Sequence, residues 1–221
     1  MATEDTVFQY IERAISEHRL PPGTRLREIQ LAEIFGVTRS LIRKVLTRLV
    51  NAKLVEHKPH IGAQVACPSL KDGQDLFATR VLLETEVIKI LCETITEQQL
   101  QHLRDYLDKE HQAYQQEDTQ LGVRLSSGFH KELANLASNQ VIAEFLNEII
   151  NRTPLVILSQ LGQQPVNSCI NHEHLAIVDA LEQRDVSTAC RLTAEHLSHL
   201  EKMFVMNNEQ QATDLAEIFQ S

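Results

Sequence analysis

The chain has 221 residues, 43% of them hydrophobic, with 21 Lys and Arg against 30 Asp and Glu, which is enough to bury a real core in two compact units and excludes a disordered tail. No apolar run approaches the ~18–20 residues of a membrane span, and the acidic opening Met1-Ala2-Thr3-Glu4-Asp5 is unlike a basic, then apolar leader, so a cytoplasmic protein is expected. The net charge of −9 conceals a split: residues 1–68 carry ten basic and seven acidic side chains, residues 69–221 eleven and 23, so a basic head precedes an acidic body.

In chain order, Val7, Ile11, Ala14 and Ile15 fall at helical spacing, and Arg19-Leu20-Pro21-Pro22-Gly23 ends that first helix near His18. Leu26 and Glu28 open a second short helix whose Ile29, Leu31, Ala32 and Phe35 are expected to pack inward before Gly36 stops it. Thr38 can cap a third helix, in which Ile42, Val45, Leu46, Leu49 and Val50 form one buried stripe. Its other face carries Arg39, Ser40, Arg43, Thr47 and Arg48. Leu54-Val55-Glu56 and Ala63-Gln64-Val65 are β-prone stretches around a polar tip, a two-stranded wing.

Cys67-Pro68-Ser69-Leu70-Lys71-Asp72-Gly73 mixes a helix breaker with turn formers where the charge balance changes sign, so the domain boundary is placed between residues 68 and 69. Beyond it the pattern predicts helices over 72–92, 96–116, 119–137, 139–160, 167–183 and 185–208, with residues 209–221 undecided between a short helix and a frayed end. Cys67, Cys92, Cys169 and Cys190 contain no C-x-x-C pair and are expected to be reduced, buried packing residues.

A short helix, a turn and a second helix with Arg39 and Arg43 one turn apart is the arrangement that enters a DNA major groove. Both arginines can fork onto guanine or phosphate, and Ser40 or Thr47 can reach either acceptor. A basic face on an ordinary three-helix module would look the same. The runs Leu20-Pro-Pro-Gly-Thr-Arg-Leu-Arg-Glu28, Leu31-Ala-Glu-Ile-Phe-Gly-Val-Thr-Arg-Ser-Leu-Ile-Arg43 and Leu46-Thr-Arg-Leu49 resemble the winged-helix head of the GntR family of bacterial transcription regulators. The resemblance implies that Arg39, Arg43, His60 and Gly62 contact operator DNA, with Thr38 and Ser40 at phosphate-contacting positions; Arg27 and Lys44 are counted with them. Lys53 stands where the family usually ends the helix with Gly, Lys44 where Glu is usual, and Leu41 where Pro or Thr is common.

In the body, His130 lies on the apolar edge of Phe129-His130-Lys131-Glu132-Leu133, and His174 on that of Glu173-His174-Leu175-Ala176-Ile177. With His196 on the next helix, three imidazoles from three helices can form a facial set with open positions. A lone histidine is more often an ordinary core or surface residue, and His172 and His199 are near misses. Arg80-Val-Leu-Leu-Glu84, Phe129-His130-x-x-Leu133 with Asn139, Glu173-His174 with Ala180 and Asp185, and His196 resemble the FCD domain that follows many GntR heads. The resemblance implies a mostly α protein, an N-terminal winged helix-turn-helix with an all-helical FCD-type bundle, acting as a homodimeric, effector-responsive repressor of double-stranded operator DNA. Metal-binding members use one Asp and three His, the Asp four residues before the first His; here that position is Ser126. His130, His174 and His196 are thus expected to hold a divalent metal, with zinc the first candidate, whose open positions accept a small carboxylate effector, and Arg80, Ser126 and Asn139 complete the effector site. The alternative is effector binding through hydrogen bonds from the histidines without metal. A metal-dependent hydrolase is a rival of another class, but His172-Glu173-His174 lacks H-E-x-x-H spacing. A DNA-organising protein is disfavoured by the acidic body.

Overall fold

The computed structural model describes residues 2–17, 19–161 and 170–210. The head contains α1 (Glu4–Ser16), α2 (Glu28–Phe35), α3 (Arg39–Asn51) and a hairpin of β1 (Val55–Lys58) and β2 (Gly62–Val65). Thr3 caps α1, its hydroxyl accepting from the Thr6 N–H at 3.2 Å, and Glu4 and Asp5 complement the positive end of the helix. Gly36 ends α2 at φ 62°, a left-handed conformation that a Cβ would strain. Thr38 then caps α3 through the Leu41 N–H at 3.2 Å. Val7, Ile11 and Ile15 of α1 meet Ile42, Val45 and Leu49 of α3 in a core that also takes Val55 and Val65 of the wing; each such burial contributes about 1.5–3 kcal/mol. The strands pair antiparallel with Val55 opposite Val65 and Lys58 opposite Gly62, and a bridge from Arg25 to Gln64 ties the wing to the lead of α2.

The body is a bundle of α4 (Leu70–Thr94), α5 (Glu97–Gln115), α6 (Thr119–Leu136), α7 (Gln140–Leu161), α8 (Ile170–Glu182) and α9 (Val186–Gln210). A reciprocal box of Ser69 and Asp72 starts α4, and Thr96 with Gln99 starts α5. Leu91, Leu103, Phe129, Leu133, Leu146, Val178 and Leu181 fill its centre. The head rests on α6 and α7: Leu155 joins the head's core, Arg124 donates to Glu17 at 2.6 Å, and Asn151 donates to Glu12 at 2.9 Å while accepting from Lys131. Among the described residues, no helix is long and apolar enough to cross a membrane.

Several expectations need correction. Ile29 is 55% exposed, because the eight residues of α2 bury only Ala32 against the core. Arg48 leaves the face of Arg39 and Arg43 and turns to α1, pairing with Glu4 and Asp5 at 3.0 and 2.7 Å over the Phe8 ring. Helix α4 begins at Leu70, two residues before the predicted start at 72, so the helix already includes Leu70 and Lys71 of the boundary run, and Gly73 is buried within it. Cys67 is exposed, Cys92 buried and Cys190 in between. The first helix ends at Ser16; the predicted boundary at His18, the predicted start of a helix at 167, Cys169 and residues 211–221 lie outside the described residues.

Candidate DNA interface and histidine centre

Between α2, α3 and the wing runs a groove of about 1030 Å³, whose lining includes Arg25, Arg27, Arg39, Arg43, His57 and Gly62. It therefore gathers four of the predicted DNA-facing residues and adds Arg25 and His57. Thr38, Ser40, Lys44 and His60 are exposed but do not line it. At the wing tip His60 has φ 65° and Gly62 φ 90°, and the Ile61 N–H closes the turn onto the Lys58 carbonyl at 3.2 Å. Lys53 adopts φ 60°, so it takes the left-handed geometry that glycine would supply, and the entry to the wing is kept. Glu28 occupies the groove: Arg43 Nε donates to its two oxygens at 3.0 and 2.8 Å, and Arg39 Nη2 lies 3.5 Å away. All three side chains are at least partly exposed, so these pairs are weak and exchangeable.

In the body the three predicted histidines converge. His130 on α6, His174 on α8 and His196 on α9 are 3%, 0% and 1% exposed. His196 Nε2 lies 3.1 Å from His130 Nε2 and 3.2 Å from His174 Nε2. Each ring's other nitrogen faces a carboxylate. His130 Nδ1–H donates to Glu84 at 2.6 Å, His174 Nδ1–H to Glu110 at 3.0 Å and His196 Nδ1–H to Glu173 at 2.8 Å. With the proton held on Nδ1, each Nε2 presents a lone pair, and three lone pairs meet with no proton between them. That donor set suits a cation bound by imidazole nitrogen, and a carboxylate behind each ring is the usual support of such a ligand. The three histidines form a group whose ligand atoms lie within 4.8 Å of one another.

Burial pushes His130 down to about 3 against the pull of Glu84, and His174 well below its ordinary value, so both rings are neutral and able to ligate. For Glu84, burial is outweighed by Arg80 and His130, which hold it at about 2. Glu110 has no such Lys or Arg among the described residues, and burial raises it to about 7 although His130, His196 and the Ser126 hydroxyl pull it down. Among the described residues its Oε1 is buried without a hydrogen-bond partner, as is Arg80 Nη2.

The other predicted body residues are placed differently. Arg80 stands behind Glu84, donating to it at 2.7 Å and to Thr153 at 3.3 Å. Ser126 is half-buried, one turn before His130. Asn139 caps α7, its side-chain oxygen accepting from the Ile142 N–H at 3.2 Å, which leaves its amide NH2 for any other partner. His172 is exposed, and His199 donates to Glu173 at 2.6 Å from the solvent side. Sequence reasoning missed the supporting role of Glu84, Glu110 and Glu173. A signal existed for Glu110, which interrupts the apolar stripe Leu100, Leu103, Leu107, Tyr114 at a core-facing register.

Residues 3–65 match the bacterial regulatory proteins of the gntR family, and residues 75–199 match the FCD domain. An HTH-type transcriptional regulator of Bacillus subtilis, YdhC, is 25% identical over 197 residues, covering 87% of this chain and 86% of its own. The HTH-type transcriptional repressor RspR of Escherichia coli is 23% identical, covering 88% and 85%. The solved structure of McbR/YncC from Escherichia coli superposes with a TM-score of 0.81 at 20% identity, over 93% of this chain and 98% of that one, which shows a shared fold.

Proposed function

Because the chain belongs to the GntR family of transcription regulators, with an FCD body, we propose that it is a repressor whose three histidines hold a divalent metal, zinc first, at which a small carboxylate effector controls operator binding. That it is a DNA-binding transcription regulator, and that its body is a ligand-binding regulatory domain, follow from the family. The metal reading rests on one observation, the meeting of three buried Nε2 lone pairs whose Nδ1 atoms are all committed to carboxylates. A dication bound there supplies Lewis-acid positions for an anionic oxygen ligand. His130, His174 and His196 hold it, Ser126 borders the site, and Arg80 offers its unpaired Nη2 as a second anchor. The division at residues 68 and 69 makes 1–68 the DNA-binding unit and 69–221 the effector and dimerisation unit.

On DNA, Arg39 and Arg43 leave Glu28 for bases or phosphates, supported by Arg27, Thr38, Ser40 and Lys44, while His60 and Gly62 bring the wing to the backbone. Two heads are needed to span an operator, so the active form is a homodimer in the cytoplasm. Exposed Leu82 on α4 and Val141 and Phe145 on α7 offer apolar surface for that pairing. The hydrolase reading gains nothing from the family matches. Moreover, the carboxylates facing the three rings are on the Nδ1 side, away from any water that the Nε2 atoms could share with a metal.

Elemental analysis of protein purified without tag or chelator tests the metal, with about one ion per chain expected. No bound ion, together with no uptake from buffered zinc, overturns it and leaves effector binding through hydrogen bonds alone. A mobility-shift assay with Arg43→Ala tests the DNA face. Loss of specific operator binding with the fold intact is expected, and retained specific binding refutes the assignment.

A further inference from the structure

Three carboxylates stand behind the histidines, but they are not equivalent. Glu84 is matched by the Arg80 guanidinium at 2.7 Å. Glu173 is 30% exposed at its side chain and shared with His199. Glu110, on α5, is 0% exposed, and among the described residues its only ion-pair contact is with His174 at 3.0 Å and its Oε1 makes no hydrogen bond. A buried carboxylate with one unclaimed oxygen and no neighbouring Lys or Arg is strongly disfavoured unless a cation lies nearby. The ring it holds points at the point where the three Nε2 atoms meet. The inner donors there are all neutral nitrogens, since the residue one turn before His130 is Ser126 and brings no charge.

Resting on the metal site proposed above, we infer that Glu110 is its positioning residue and counter-charge: it fixes His174 and supplies from behind the ring the negative charge that the inner donors lack. The close approach of α5 to α6 makes this reach available. Gly122 and Gly128 on α6 receive the rings of Tyr114 and Tyr106, the residues one turn either side of Glu110, and a side chain at either glycine would hold the helices apart.

Glu110→Gln separates charge from hydrogen bonding, because the amide oxygen still accepts from Nδ1–H. Zinc affinity of the full chain is measured at pH 8 by competition with a chromophoric chelator, alongside 15N spectra of the imidazoles and urea unfolding in excess chelator. The Gln variant is expected to bind zinc 10- to 100-fold more weakly, to keep His174 protonated on Nδ1, and to be more stable than the parent without metal, since an uncompensated charge has gone. A residue that merely packs would move both measurements the same way. Adding Ser126→Asp to Glu110→Gln places a carboxylate one turn from His130 and is expected to recover affinity. Zinc binding by Glu110→Gln within twofold of the parent, or loss of metal-free stability, overturns the inference. A parent protein that binds no zinc at all instead overturns the metal site itself.

Discussion

Acidifying the metal-free protein should reveal how much of its stability depends on keeping the buried cluster in its native protonation state. Burial holds His130 at about 3 and His174 well below 6.5, so below pH 6.5 each takes up a proton only on unfolding. Glu110 works the other way: held at about 7 against an ordinary 4.5, it is protonated in the fold and ionised in the unfolded chain between those values. Between pH 6.5 and 4.5 unfolding therefore takes up two protons and releases one. The net single proton makes stability fall by about 1.4 kcal/mol per pH unit as pH drops, or about 3 kcal/mol over that window. Below 4.5 Glu110 no longer opposes, and Glu84, held at about 2 by Arg80 and His130 against its burial, takes up a further proton on unfolding, as does Glu173, which its hydrogen bond to His196 lowers, so the slope steepens. Between 6.5 and 7 Glu110 acts alone and stability falls slightly as pH rises. Urea unfolding in excess chelator from pH 8 to pH 4 reads the curve directly. A free energy flat from 6.5 to 4.5, or one that rises on acidification, would refute the assignment of neutral buried imidazoles.

Four other experiments address the remaining structure. Lys53→Gly relieves a left-handed lysine and should stabilise the protein by about 0.5–1 kcal/mol in thermal or urea unfolding; a destabilised variant would show that the lysine side chain matters more than its φ. Gly122→Ala would normally gain about 1 kcal/mol of helix propensity, yet its Cβ would lie 2.7 Å from the Tyr114 ring, so a net loss of about 1–2 kcal/mol is expected. Stabilisation there would contradict the tight seating of α5 on α6. For the join between head and body, a double-mutant cycle on Glu17→Gln and Arg124→Ala should return a coupling of about 1 kcal/mol, because the carboxylate is buried but the arginine is partly solvated; additive effects would mean that the contact does not hold the units together. Finally, Glu28→Gln frees Arg39 and Arg43 and should tighten binding to random-sequence DNA several-fold in a low-salt titration, whereas unchanged affinity would show that the pairing does not compete with DNA.

Much of the head was legible because its signals are local. Thr38 caps, Gly36 stops, and the β-prone stretches fold back within a dozen residues. Arg48 was misplaced because a list of polar positions is not a face: at about 100° per residue, Arg39 and Arg43 lie about 40° apart, but Arg48 is about 140° from Arg43. Ile29 was misplaced because a helix of two turns has too little core to bury every apolar residue it carries. In the body, helical spacing located the histidines and their convergence follows from how the helices pack, which no spacing states. The carboxylates illustrate the limit. Glu84 and Glu173 sit in ordinary helical contexts, and only tertiary packing brings them within 3 Å of a ring nitrogen. The start of α4 shows a smaller error, because the box of Ser69 and Asp72 begins the helix at Leu70, two residues before the position expected from the turn formers around it.

The Glu28 pairs also bear on the proposed DNA face when no operator is present. If Arg39 and Arg43 meet DNA as proposed, guanidinium groups already paired with Glu28 must exchange one anion for another, so the gain on binding any phosphate is smaller than for free ones. The handicap applies equally to every site on a chromosome, whereas the reward of a bidentate guanine contact is confined to the correct one. On that proposed DNA role, a single acidic side chain would work as an internal decoy, shortening the time lost on irrelevant sequence and leaving discrimination to the contacts that decoy cannot imitate.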